Sequence, residues 1–261
     1  MKSSPAQLGM LVLALADLVL GVGLFVQAPW ATALWPFTEQ PLDYVVLSSF
    51  LVAGFGTVLW IGRSQEWGAL RGALLDVALF TGGAAVWLAA RYATDGDSAA
   101  LVRAGAFAVA TVAELALLAR VWRVPIRDTR PADLVLRASF ALFALVLLLS
   151  GGALLLRLPI WPWQLAPASS TLLGFLFAGS CVYFLHGLAR PSWHAMKGQL
   201  VAFLLYDAVL VQPYLSLDQG YKINHTSLAV YWAVIAGSAA LSVWYLFLNP
   251  RTRSWAVDER R

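Results

Sequence analysis

Four carboxylates stand inside long apolar stretches of this chain: Asp17, Asp76, Glu114 and Asp207. An ionised acid at the centre of a membrane-spanning helix costs about 2.5–3.5 kcal/mol on insertion scales. Each must therefore face other helices, pair with a donor, or hold its proton. Three kinds of chemistry follow. The acids can be structural, hydrogen-bonded to Ser, Thr, Tyr or Arg on the next helix. They can form a proton or cation site in a polar cavity. They can perform acid–base chemistry on a lipid or isoprenoid substrate.

The surroundings differ. Asp76 has Gly72 four residues before it and Gly83 seven after, and Asp17 has Ala14 and Gly21 on its face. Small faces are where helices approach closely. Asp207 follows Tyr206, has Phe203 and Tyr214 on its face, and precedes Pro213 by six residues, where a kink is expected. Lys197 lies about 15 Å away along the same helix, too far to neutralise it. Asp207, Asp17, Asp76, Glu114 and Tyr214 are the candidate intramembrane polar site, with Arg71 and Arg137 the expected partners of Asp76 and Glu114.

Other chemistry has little footing. His186, His194 and His225 do not form a pair at helical spacing, and Cys181 is the single cysteine. The sequence holds no CxxC, HExxH, GxSxG or phosphate-loop pattern. No catalytic residue, metal ligand or cofactor site is assigned.

The elements that must carry these acids follow from composition. The chain has 261 residues, 60% hydrophobic and 12% charged, with mean hydropathy +0.72. Ordinary globular domains are about 45–50% apolar and about a quarter charged. So few charges cannot cover a soluble domain of this size, and one cysteine excludes a disulfide scaffold. A crossing helix needs about 20 apolar residues. Eight stretches qualify: 8–26, 44–62, 72–90, 104–119, 138–156, 171–189, 198–217 and 227–248. The fourth is short unless Arg103 snorkels and the helix begins near Ala99. None alternates as barrel strands do. The first span carries Asp17 and is long for a signal-peptide core, so it is read as a retained helix.

Basic residues stay on the cytoplasmic side during insertion. With the N-terminus inside, 14 of the 18 Lys and Arg residues fall inside and four (Arg91, Arg103, Arg157 and Lys222) fall outside. Both termini are therefore expected in the cytoplasm. The same bias accounts for the net charge of +4, and a nucleic-acid partner is not needed. Arg120, Arg123, Arg127 and Arg130 in the central loop act first as a topology determinant and can also meet anionic headgroups. The tryptophans divide between the two ends of the spans, as interfacial anchors do.

The chain also carries an internal match. Trp35-Pro36-Phe37 with Pro41 is echoed by Trp161-Pro162-Trp163 with Pro167, and the shift from residue 35 to residue 161 also places Trp67 on Trp193, Arg71 on Lys197 and Gly72 on Gly198. The expected fold is all-α integral membrane, with eight transmembrane helices in two parallel-oriented four-helix repeats, 1–126 and 127–261. An even number of spans keeps both copies in one orientation, related by an axis along the membrane normal. Asp76 falls on Ala202, so the repeat does not pair Asp76 with Asp207.

The Trp161-to-Pro167 segment reads W-P-W-x-L-x-P, and with its flanking helices it resembles loops of uncharacterised bacterial multi-pass membrane proteins. The resemblance implies a bacterial plasma-membrane setting and no particular chemistry. Three function classes stand. The leading one is a non-catalytic scaffold, accessory or partner-binding membrane subunit, in contact with the lipid bilayer and with other membrane subunits or a homo-oligomer. The alternative is a small proton- or cation-coupled carrier or channel. The third is an intramembrane enzyme acting on a lipid or isoprenoid.

Overall fold

The computed structural model describes residues 5–35, 37, 40–215 and 222–253. The side chains of residue 5 and of residues 212–215 lie outside the description. The chain is helical: α1 (Pro5–Phe25), α2 (Pro29–Leu34), α3 (Pro41–Ser64), α4 (Leu70–Asp95), α5 (Ser98–Val121), α6 (Leu134–Leu155), α7 (Pro167–Ala189), α8 (Trp193–Leu215) and α9 (His225–Val243). A single 3-10 turn, Trp67–Ala69, leads into α4, and a five-residue π segment, Trp244–Leu248, closes α9. Among the described residues, eight helices are long and apolar enough to cross a membrane. The α2 helix, six residues in the aromatic segment between α1 and α3, is too short.

The ends are set by local chemistry. Proline, whose missing N–H costs nothing in a first turn, opens α2, α3 and α7. Asp97, Asp133 and Asn224 cap α5, α6 and α9, their side chains accepting from the N–H of Ala99, Leu136 and Ser227. The cap at Asp97 brings α5 in at Ser98, so Arg103 falls inside that helix, as the length argument requires. The chain leaves α1 and α6 by the same device. Gln27 (φ 53°) and Arg157 (φ 57°) turn left-handed. The Gln27 N–H then donates to Leu24 O and that of Ala28 to Gly23 O, while Arg157 donates to Leu154 O and Leu158 to Ala153 O. This doubled bond is the Schellman closure, and it satisfies carbonyls the helix end would otherwise orphan.

The helices gather into two compact units. One contains Met1–Glu66, Trp161–Ala166 and Met196–Arg261, and the other Trp67–Ile160 and Pro167–Ala195. In the first unit α1 packs on α3. A side chain at Gly21 would strike the Ser48 carbonyl, Leu51 and Val52, and one at Gly56 would strike Val201 and Leu205 of α8. Thr57 donates to the Gly198 carbonyl at 3.1 Å. In the second unit α4 packs on α5 and α7, and α6 on α7. Gly151 of α6 lies against the Gly174 carbonyl, Phe177 and Ala178, and Gly72 of α4 carries the Tyr183 ring. Phe140 and Phe143 of α6 meet Phe184 edge-on and stacked, with centroids 4.7 and 5.7 Å apart.

The aromatic linkers depart from expectation in one respect. Trp161 and Trp163 are 6% and 3% exposed, so they are core rather than interfacial anchors. The reason is polar: the Trp163 indole N–H donates to buried Asp43 Oδ1 at 2.8 Å, which fixes the segment on α3. Trp193 is likewise buried. Trp30, Trp122 and Trp244 are about half exposed, as anchors would be.

Candidate functional site

The four acids separate between the units. Asp17 of α1 is half-buried, with Oδ2 against the small surface of Gly54 on α3, and makes no hydrogen bond among the described residues. Asp207 of α8 is 3% exposed. Ser238 Oγ of α9 lies 3.0 and 2.9 Å from its two carboxylate oxygens and also reaches the Val234 and Ile235 carbonyls. One hydroxyl hydrogen cannot serve four acceptors at once. A hydroxyl is also an acceptor, so a protonated Asp207 can donate to Ser238 while Ser238 donates to its own helix.

Beside Asp207, the hydroxyls of Tyr206 and Tyr231 meet at 2.8 Å. Phe50 packs edge-on against Tyr206 and Trp161 against Tyr231, both at 5.2 Å. The side chain of Tyr214 and that of Pro213 lie outside the described residues. The α8 backbone continues through them to Leu215.

In the second unit, Asp76 of α4 lies on Gly179 of α7, where an added methyl would collide with its carbonyl and carboxylate. Ser180 Oγ donates to it across 3.3–3.5 Å. Tyr183, one turn further and 2% exposed, stands within electrostatic reach of Asp76, and its hydroxyl has no hydrogen-bond partner among the described residues. Both ring nitrogens of His186 are also enclosed and without a partner there. Glu114 of α5 accepts from Thr81 Oγ1 of α4 at 2.6 Å, and Thr81 in turn accepts from Thr111 at 2.9 Å.

The expected arginine partners are elsewhere. Arg71 is 4% exposed. It donates to the Val121 carbonyl at 3.3 Å and to the Val124 carbonyl, bonding the loop after α5 instead of Asp76. Arg137 is exposed and does not meet Glu114. A guanidinium at a helix end finds the unsatisfied carbonyls of its neighbour's last turn more readily than an acid a turn inside the bundle. None of the four acids has a basic partner among the described residues, and no group of three or more His, Cys, Asp and Glu is placed there to hold a metal.

Sequence reading found the acids and missed their partners. Ser180 is one of several hydroxyls in α7, beside Ser169, Ser170 and Thr171, and Ser238 one of several in α9, beside Ser227 and Ser242. Only helix rotation decides which hydroxyl faces which acid.

One charged cluster lies outside the spans. Arg130 holds Asp128 through its backbone N–H, Nε and Nη2, at 2.6–3.1 Å, and His194 Nε2 stands 3.4 Å from Asp128 Oδ2. Burial pushes the Asp128 carboxyl up, but the Arg130 hydrogen bonds and the nearby His194 and Arg130 charges outweigh it and leave the pKa below the ordinary 3.8. No family model, curated protein or solved structure matches the chain.

Proposed function

We propose that this is a non-catalytic multi-pass membrane subunit, a scaffold or partner-binding component in which Asp76, Glu114 and Asp207 are neutral clasps between helices. It is built from two four-helix copies in a plasma membrane, with both termini cytoplasmic. One comparison carries the reading. The shift that aligns Trp35 with Trp161 also places Thr81 on Asp207, and aligning the caps Asp97 and Asn224 places Thr111 on Ser238. The first copy therefore makes its α4–α5 bond between two hydroxyls, at the register where the second joins α8 and α9 through Asp207 and Ser238. A register filled by Thr in one copy and Asp in the other requires a hydrogen bond and no charge.

Several contacts support the duplication. With Gly21 set on Gly151, buried Met10, Ala14 and Leu24 fall on buried Phe140, Ala144 and Leu154, and the left-handed Gln27 falls on Arg157. The surfaces these glycines touch (Ser48, Leu51 and Val52 against Gly174, Phe177 and Ala178) are related by the Trp35-to-Trp161 shift. So are the residue pairs Thr57–Gly198 and Tyr183–Gly72. Each compact unit then combines the first two spans of one copy with the last two of the other.

A proton- or cation-coupled carrier is the second reading. It is favoured by the Tyr183 hydroxyl near Asp76, which has no partner among the described residues and which a bundle whose polar groups serve only packing would have satisfied. Proteoliposomes holding the purified chain and an internal pH dye separate the two. The scaffold reading expects proton flux equal to that of empty vesicles, and flux lost on Asp207→Asn or Asp76→Asn would overturn it.

A further inference from the structure

The connection between α5 and α6 is basic beyond what topology requires, and it is built. Arg120, Arg123, Arg127, Arg130 and Arg137 gather there with Arg190 from the end of α7, against only Asp128 and Asp133. Asp128 is engaged by Arg130 and His194, and Asp133 caps α6. Arg120 and Arg123 are exposed and meet no carboxylate among the described residues, and Arg190 lies over the half-exposed Trp122 ring, its Cζ 5.5 Å from the centroid.

The backbone beneath them is fixed at several points. Buried Arg71 bonds the Val121 and Val124 carbonyls. Gly68 leaves no room for a side chain against the Val124 and Pro125 carbonyls. Pro131 and Ser192 form a bridge, the Ala132 N–H donates to Pro191 O, and the Trp193 N–H donates to Arg130 O. A topology determinant works by charge alone during insertion and needs no such anchoring. An arginine set on a fixed frame keeps the planar fork that grips phosphate oxygens in pairs.

We infer that Arg120, Arg123 and Arg190, framed around Trp122, form a binding site for the phosphate of an anionic membrane lipid. Two observations favour a lipid over free phosphate. Arg120 lies in the last turn of α5, and Arg123 and Arg190 follow closely on α5 and α7, helices long enough to span the bilayer, which sets them at headgroup depth. Trp122 between them is half exposed, as an indole at that boundary is. The guanidinium of Arg190 stacks on the indole, and those of Arg120 and Arg123 supply unpaired N–H donors for the headgroup oxygens.

The test uses the purified full chain in neutral-detergent micelles doped with equal amounts of phosphatidylglycerol and phosphatidylcholine, the retained lipid being measured by mass spectrometry. Phosphatidylglycerol should be retained in clear excess. The triple variant Arg120→Gln, Arg123→Gln, Arg190→Gln should lower that excess roughly tenfold to hundredfold, since each surface arginine contributes separately. Arg157→Gln, at the opposite end of α6, should leave it unchanged. The triple lysine variant, which keeps charge and loses the fork, should fall between. It also carries the test if the glutamine variant melts early. Equal retention of the two lipids, or an excess the triple variants keep, would overturn the site. So would loss of the lipid to inorganic phosphate but not to chloride at the same ionic strength, which would mark a free-phosphate site.

Discussion

Between α4 and α5, Thr111 donates to Thr81 and Thr81 to Glu114; between α8 and α9, Ser238 meets Asp207. Under the proposed duplication these are one contact written twice. The hydroxyl on the earlier helix became, or was once, an acid. In the first copy the acid sits instead on the later helix, one turn past Thr111. The two regions agree in what they satisfy: a hydrogen bond between the third and fourth helices of a copy. They differ in which residue carries the proton. An acid kept neutral by its apolar surroundings is chemically a hydroxyl with an extra acceptor, which is why the exchange is tolerated.

The Asp76 contact shows the opposite case. Its counterpart is Ala202, and Gly179 beneath it corresponds to Ala53. Under the proposed duplication this acid has no equivalent in the other copy, so the repeat would give no reason for it. It sits near Tyr183, whose hydroxyl has no partner among the described residues. If one part of the molecule departs from neutral clasping, it is this face of α4 and α7.

The largest effect should come from the Gly179–Ala53 difference. Gly179→Ala drives a methyl into Asp76, and overpacking of this kind costs about 1–3 kcal/mol, whereas Ala53→Gly should cost about 1 kcal/mol. Thermal unfolding in detergent should show Gly179→Ala losing more stability than Ala53→Gly. Equal losses would mean the two sites are packed alike.

Next in size is Asp207→Leu. It deletes the α8–α9 bond and should cost about 1–2 kcal/mol, near the upper end for hydrogen bonds between membrane helices. Asp207→Thr, the residue its counterpart carries, should cost less than about half as much. The ordering is read from the two melting temperatures. A threonine variant as unstable as the leucine one would separate the two regions.

Thr81→Val should cost about 1 kcal/mol by removing the donor to Glu114, and Thr81→Asp should be tolerated better, since it copies the other clasp. The same unfolding assay checks the order.

The smallest effect concerns pH. The lowered Asp128 pKa means that its pairing with Arg130 and His194 stabilises the fold above the ordinary carboxylate value of 3.8 and is lost as pH falls through the lowered value. Stability from this source should be flat from neutral pH down to about 4. Asp128→Asn should lose it at neutral pH and melt with a shallower acid dependence below that. An Asp128→Asn profile parallel to the wild type would show the pairing to be unimportant.

Much of this architecture is legible in the chain because lipid imposes a length rule. Eight apolar stretches became eight helices, and even the early start of α5, argued from Arg103, is where Asp97 caps it. The small faces of Asp17 and Asp76 do meet neighbouring helices, through Gly54 and Gly179. Partners are less legible. In an apolar bundle nearly every face is hydrophobic, so the pattern does not fix helix rotation, and Ser238 cannot be chosen over Ser242 as the partner of Asp207 from sequence. Backbone acceptors carry no signature either, which is why Arg71 was matched with Asp76 when its partners are the Val121 and Val124 carbonyls. Trp161 and Trp163 show a third limit: the same indole anchors at a headgroup or fills a core, and only Asp43 decides.

Paired cysteines test the equivalence of the two clasps most directly. In a Cys181→Ala background, Thr81→Cys with Thr111→Cys, and separately Asp207→Cys with Ser238→Cys, are treated in membranes with a short bis-thiosulfonate cross-linker. Side-chain oxygens about 3 Å apart put the two positions of each pair within its reach, and the linker also covers the extra carbon that separates the Asp207 carboxylate oxygens from its β-carbon. The account predicts that both pairs cross-link to similar extents, with both variants inserted and folded. Ready cross-linking of one pair and none of the other would contradict it.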